Sequence, residues 1–260
     1  WEFESFDEYL GLLRQKGVTP NVAAFIGHSA VRTMVMGEEA SERAANDDEV
    51  AAMRDLVVGG MDAGAIGFST STSINHHGDG GVPMPSRLAE ESELRSLVSV
   101  LGEKGRGVFQ LTVGPSMTSE VMESIAADNG CPVFQTAALH NAAYPERANK
   151  MVSDSAAAQT RGNGLWAQVS CQSLSMDFAL TAAFPLQSLD SWRPLIDADN
   201  ESFERQIRDA EFRKRFRHDL DAPQKGKLFY GDWSKVEVAM TARAENRELE
   251  GMSIDKLAER

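Results

Sequence analysis

The sequence predicts an α/β protein, part of a TIM-like (β/α) barrel, and three observations carry that expectation. Apolar runs of strand length alternate with helical patterns five times before residue 172, the pattern of a parallel sheet with crossover helices. The stretch Gly64-Ala65-Ile66-Gly67-Phe68 runs straight into Ser69-Thr70-Ser71-Thr72-Ser73 and a long Gly/Pro loop, so a short buried strand opens at its C-terminal end into hydroxyls. Other polar residues gather at the ends of the later strands, where barrels and doubly wound sheets carry their chemistry. An eight-unit barrel takes about 250 residues, so five units would make an open part of one.

The elements follow in order. Phe6, Tyr9, Leu10, Leu12 and Leu13 have helical spacing over 4–16, with Ser5 as a cap and Gly17 as a stop. Residues 21–26 suit a buried strand that ends in Gly27-His28-Ser29-Ala30-Val31-Arg32. Asp47 or Asp48 caps a helix carrying Val50, Met53, Leu56, Val57 and Met61 and ending at Gly64. After the strand 65–68 and its loop, Ser86 caps a helix to Lys104, with Glu90 and Glu91 in an acidic first turn. Strands are then expected at 107–113, 132–139 and 165–171, and helices at 118–129 and 145–160. Beyond Ser173 the alternation weakens. A charged helix over 203–220, a late strand at Leu228-Phe229-Tyr230 and a helix capped by Ser253 are expected there.

A net charge of −13 argues against a surface that binds nucleic-acid phosphates. Cys131 and Cys171 do not form a CxxC pair and read as buried reduced thiols. No apolar run reaches membrane-spanning length and no leader pattern is present, which gives the expectation of a soluble, cytoplasmic protein. The chain opens at Trp1, inside a helical pattern and without an initiator Met, and reads as a piece of something longer.

Candidate site residues lie at the strand ends. His28 directly follows a strand, where it either faces a site or serves as a loop or helix-start residue. Arg32 can grip a carboxylate with two hydrogen bonds or form a structural ion pair. Ser69, Thr70 and Ser71 can bind a substrate or satisfy the turn backbone. Gln110, Thr112, Gln135, His140 and Gln168 lie at or near three successive strand ends and together suggest a polar pocket. The adjacent His76-His77 lacks metal-ligand spacing and reads as a solvated loop pair, with a water- or substrate-facing role for one of them as the alternative. No G-x-S-x-G elbow, G-x-G-x-x-G or Walker A motif is present, which speaks against a serine nucleophile and against nucleotide cofactors.

Several blocks together carry a family resemblance. Trp1-x-Phe3-x-Ser5-Phe6-x-Glu8-Tyr9-Leu10, Gly27-His28-Ser29-Ala30-Val31-Arg32 with Val35-Met36-Gly37, Ala63 to Ser71, and Pro85-Ser86-Arg87 occur in order over residues 1–105. They resemble the N-acyl-D-amino-acid deacylases (D-aminoacylases) of the metal-dependent amidohydrolase superfamily. Leu249-x-Gly251-x-Ser253-Ile254-x-x-Leu257-Ala258 is similar to a late segment of the same proteins. The resemblance implies an amidohydrolase-type barrel with a small flanking β-domain, in which a zinc-activated water hydrolyses an amide.

It also exposes departures. The family's first-strand His-x-His pair would precede Trp1. The positions expected for two later histidine ligands hold Thr112 and Ala137, His140 lies three residues too late, and the catalytic aspartate has no counterpart. Zinc is thus implied for a full-length parent, with no metal ligand assignable in this chain.

The expected organisation is barrel over 1–225 and a late barrel or C-terminal segment over 226–260, with the parent's N-terminal metal-binding part and its C-terminal end missing. The expected function is hydrolysis of carbon–nitrogen bonds in non-peptide amides, with the isolated chain inactive. Its substrate would be an N-acylated amino acid or similar amide bound near His28, Arg32, Ser69, Ser71, Gln110 and His140. No nucleic-acid or membrane partner is expected. Two alternatives differ in class. One is a non-catalytic small-ligand or scaffold barrel that has lost its metal site. The other is an open partial barrel whose exposed strand edges make it self-associate into homo-oligomers.

Overall fold

The computed structural model describes residues 2–260 except 79–80, 142–143, 173, 197 and 223–225. It divides into two compact units, Trp1–Gln172 and Ser173–Arg260.

In the first unit, helix α1 (Phe6–Lys16) is closed by a capping box in which Ser5 Oγ accepts from the Glu8 amide and Glu8 accepts from the Ser5 amide. Five parallel strands follow in sheet order β1-β2-β3-β4-β5. They are β1 (Phe25–Gly27), β2 (Gly67–Ser71), β3 (Val108–Thr112), β4 (Val133–Thr136) and β5 (Leu165–Gln168). Between them run α2 (His28–Met36), α3 (Asp47–Ala63), α4 (Glu91–Lys104), α5 (Ser119–Asn129) and α6 (Arg147–Thr160). Every expected strand of this unit is present; β3, β4 and β5 are trimmed, whereas β1 and β2 start later than expected and run on to Gly27 and Ser71.

Alternation along the strands sorts side chains to two faces. Phe68, Phe109, Leu111, Val133 and Leu165 are fully buried in one core with Met53, Val57, Leu94, Leu97 and Ile125 from the helices. Each such side chain stabilises the fold by roughly 1.5–3 kcal/mol through burial. The other face is only half covered. There the register sets Ser69 beside Gln110, Phe134 and Trp166 in one row, and Ser71 beside Thr112, Thr136 and Gln168 in the next. Phe134 stacks on Trp166 at 6.2 Å between ring centroids.

Three local expectations need correction. Helix α3 is capped by Asn46, in a reciprocal capping box with Glu49, and Asp47 and Asp48 lie in its first turn. Ser86 is not the cap of the long helix. It sits in a 3-10 turn, Pro85–Leu88, and Glu90 precedes α4. Its hydroxyl is drawn instead to the Ser71 carbonyl, 2.8 Å away, a tertiary partner that outcompetes the local amide. Cys131 is buried and its thiol is pushed up to about 11 by that burial, but Cys171 is exposed; both are free.

The second unit is built on aromatic packing. Trp192 lies against Phe203, Phe212 and Phe216, with centroids 5.4–6.1 Å apart. The single charged helix expected over 203–220 is two, α8 (Asn200–Arg208) and α9 (Ala210–Asp221), after the short α7 (Phe184–Gln187). Asp209 causes the break: extended itself, it accepts from the Glu211 amide at 2.7 Å and so starts α9. Lys227, 3% exposed, donates to the Asp219, Leu220 and Ala222 carbonyls and caps the other end of α9. Leu228-Phe229-Tyr230 is not a strand; Phe229 packs on Trp233 at 4.6 Å. Helix α10 (Ile254–Ala258) follows Ser253. No described helix is long and apolar enough to cross a membrane.

Candidate functional site

At the C-terminal ends of β1 and β2 lies a cavity of about 240 Å³, lined by Gly27 to Ala30, Ser69 to Ser71, Met84 and Ser86. Its walls follow from local sequence. Strand β1 turns without a loop into α2, whose N-cap is Gly27 and whose first turn carries no acidic residue. Strand β2 supplies Ser69 and Ser71. Ser86 is pinned in place, its hydroxyl accepting from Ser29 Oγ at 3.1 Å while donating to the Ser71 carbonyl.

Beneath the cavity is a buried polar network. His28 is 1% exposed, Arg32 0% and Glu93 3%. His28 Nε2 lies 2.7 Å from Glu93 Oε1, and Nδ1 2.8 Å from Thr70 Oγ1. Arg32 Nη1 reaches both Glu93 oxygens, at 2.7 and 2.5 Å, and Nη2 donates to the Arg43 carbonyl at 2.7 Å. Burial lowers the His28 pKa, against the pull of Glu93. A neutral ring then donates from Nε2 to the acceptor-only carboxylate and accepts the Thr70 hydroxyl at Nδ1. Burial pushes the Glu93 carboxyl up, but hydrogen bonds from His28 and Arg32 outweigh it and hold the group below the ordinary carboxylate value.

Both shifts have the same sign for stability. Unfolding returns His28 and Glu93 to higher pKa values, so the unfolded chain binds more protons and acid favours it. The His28 contribution is complete above about pH 6.5 and is lost as pH falls below that; the Glu93 contribution is lost further down, below about 4.5. We expect the unfolding free energy, and with it the urea midpoint, to fall between about pH 7.5 and 5.5, the free energy by less than about 1.4 kcal/mol per pH unit for one such histidine. The fall should be smaller in His28→Gln. Equal midpoints at both pH values in the wild type would contradict this assignment.

The structure brings three of the expected site residues to one cavity: His28, Ser69 and Ser71. Arg32 lies behind it in the ion pair with Glu93. Gln110 is beside Ser69 in the sheet but turns to Thr136 Oγ1 and Gln168 Oε1, at 3.2 and 3.4 Å. His140 is exposed in the stretch after β4, lining neither this cavity nor the one beside α5 and α6.

The sequence analysis did not single out Glu93, although it shares a helix face with Leu97 and Val100, and a charge on an apolar stripe was the available signal. His76, read as a solvated loop residue, is half-buried with Nδ1 2.7 Å from Ser71 Oγ. Burial first, and then the Arg87 charge, lower its pKa. Ser71 Oγ also accepts from the Ser73 amide at 3.3 Å; with the His76 proton on Nδ1, both its lone pairs are filled and its own proton is left free for the cavity.

The described residues of this chain do not fit a catalytic zinc. Zinc takes imidazole, thiolate or carboxylate ligands. The strand ends here offer Ser71, Thr112, Thr136 and Gln168, and both ring nitrogens of His28 are occupied. Among the described residues no group of three or more His, Cys, Asp or Glu is placed to hold a metal.

No family model matches the chain. A D-aminoacylase from Alcaligenes xylosoxydans xylosoxydans is 47% identical over 70 residues, covering 27% of this chain and 14% of that protein. An N-acyl-D-glutamate deacylase of the same organism is 30% identical over 103 residues, 40% of this chain and 19% of its own length. The crystal structure of a D-aminoacylase described as defining a novel subset of amidohydrolases superimposes with a TM-score of 0.53 and 25% identity, over 63% of this chain and 33% of that one. The chain thus spans a fifth or less of these curated relatives and a third of the solved one. In sequence and in fold the chain is similar to the N-acyl-D-amino-acid deacylases, its parallel α/β sheet matching part of an amidohydrolase barrel.

Proposed function

We propose that this chain supplies the β1/β2 end of the substrate site in a hydrolase that cleaves carbon–nitrogen bonds of non-peptide amides, of the N-acyl-D-amino-acid deacylase kind. The observation that carries the reading is the hydroxyl-lined cavity at the C-terminal ends of β1 and β2, over a fixed His28–Glu93–Arg32 floor. Ser69 and Ser71 hydroxyls and the amides at the start of α2 are donors for an acyl oxygen or a carboxylate. Neutral His76, in the tautomer that carries its proton on Nδ1, donates to Ser71 Oγ and leaves the Ser71 proton free for the ligand. His28 and Arg32 position the cavity wall. Gln110 extends the polar surface along the sheet, and His140 belongs to the site only if its loop folds over the cavity. Zinc, the metal of such hydrolases, would be held by residues other than the described ones.

A second reading, a small-ligand-binding barrel without catalysis, is favoured by Thr112 and Ala137 standing where imidazole ligands are expected. One assay separates the two: release of free amino acid from a panel of N-acetyl-D-amino acids by the protein that carries this chain. Turnover that falls about a hundredfold in Ser71→Ala, the loss seen when one donor to a developing oxyanion is removed, supports the first reading. Saturable binding without turnover supports the second. Neither binding nor turnover would remove both.

A further inference from the structure

A second cavity, of about 310 Å³, lies on the helix side of β3 and β4, between α5 and α6, and shares no lining residue with the first. Its apolar lining includes the buried Met117, Met122 and Met151, flexible side chains that adapt to varied apolar shapes. Gln135 reaches it from β4 and is 1% exposed. Its amide nitrogen donates to Ser155 Oγ at 3.0 Å, which in turn donates to the Met151 carbonyl at 2.9 Å. That fixes which way the amide points and leaves the Gln135 carbonyl oxygen with no hydrogen bond among the described residues.

The rim carries both signs of charge. Lys150 and Asp154 neutralise each other at 2.7 Å. Arg147 and Glu120, both exposed lining residues, are in no ion pair among the described residues. An apolar pocket needs few polar groups to fix a ligand's orientation, and a volume near 300 Å³ is the small end of the range for ligand sites. A cation, an anion and an inward amide carbonyl around a methionine floor match one ligand class: a compact zwitterion with an aliphatic tail.

We propose that this cavity binds a free amino acid with an aliphatic side chain. Its carboxylate pairs with Arg147, its ammonium donates to the Gln135 carbonyl and faces Glu120, and its side chain rests on Met117, Met122 and Met151. The site is independent of the proposed amide hydrolysis, although a hydrolase of that kind would release such a molecule.

The test uses the 260-residue chain with 13C-labelled methionine methyls, titrated with L- and D-leucine and, as probes lacking one charge, with N-acetyl-leucine and leucinamide. The methyls of Met117, Met122 and Met151 report this cavity, and that of Met84 reports the first. Leucine of one or both hands should shift the three methyls saturably. Each single-charge analogue should bind there at least about tenfold more weakly, as losing a hydrogen bond to a charged group implies. Arg147→Ala and Glu120→Gln, at exposed positions that leave the core intact, should each weaken leucine several-fold, as for a partly solvated ion pair. The proposal is overturned if leucine leaves the three methyls unmoved, if the analogues bind there as well as leucine, or if both variants bind it unchanged.

Discussion

Replacing Glu93 by alanine is expected to destabilise the first unit by about 3–5 kcal/mol, the usual result of removing one member of a buried ion pair. Arg32 is fully buried, its Nε has no hydrogen-bond partner among the described residues, and its strongest contacts are the two Glu93 oxygens. Without the carboxylate an uncompensated guanidinium remains in the core, and His28 loses the acceptor that sets its tautomer. A natural domain is stable by only 5–15 kcal/mol, so the urea midpoint should drop by roughly 1–2 M at a typical slope. The double variant Arg32→Met/Glu93→Leu, which removes both charges and keeps volume, should recover a large part of that loss. A midpoint for Glu93→Ala within about 0.3 M of wild type would refute the role given to this pair.

The second large effect is expected at Gly67. It begins β2 opposite Val108, and a Cβ there would overlap the Val108 carbonyl. Neither backbone can withdraw without breaking the pairing of β2 with β3, including the Val108 amide bond to the Ile66 carbonyl at 3.0 Å. Gly67→Ala should therefore cost about 3 kcal/mol or more and lower Tm by roughly 10 °C in a unit of this size. Gly11 is the natural control. It lies within α1 with nothing near its added Cβ, and Gly11→Ala should instead stabilise by about 0.5–1 kcal/mol. Equal Tm values for the two variants would show that the close approach at Gly67 does not constrain the sheet.

Most of the parallel sheet was legible because it rests on local signals that agree. Strand-length apolar runs are each followed by a recognisable helix, and Ser5, Gly17 and Gly64 punctuate the chain where expected. The errors fall where a distant partner outcompetes a local one. Ser86 reads as a cap until the Ser71 carbonyl claims its hydroxyl. Asp209 reads as one charge in a long helix until its extended backbone starts a new one. The apolar stretch at Phe229 has strand composition, yet it forms no strand and its ring packs on Trp233.

The site was legible in part for the same reason. His28, Ser69 and Ser71 stand at strand ends that the alternation locates, so their meeting follows from the fold. Glu93 and His76 could be placed only by packing, one through the turn of α4 beneath β1 and β2, the other through the path of a loop.

The most direct measurement is a titration of the methionine-labelled chain with N-acetyl-D-leucine, read at the Met84 methyl in the wall of the first cavity. If the β1/β2 end forms a substrate site built from this chain's own hydroxyls, Met84 shifts saturably and a chelator changes nothing. Ser71→Ala then weakens binding by about tenfold, the worth of a hydrogen bond to a charged or strongly polar group. A Met84 signal that stays in place, or equal binding by Ser71→Ala, would contradict it.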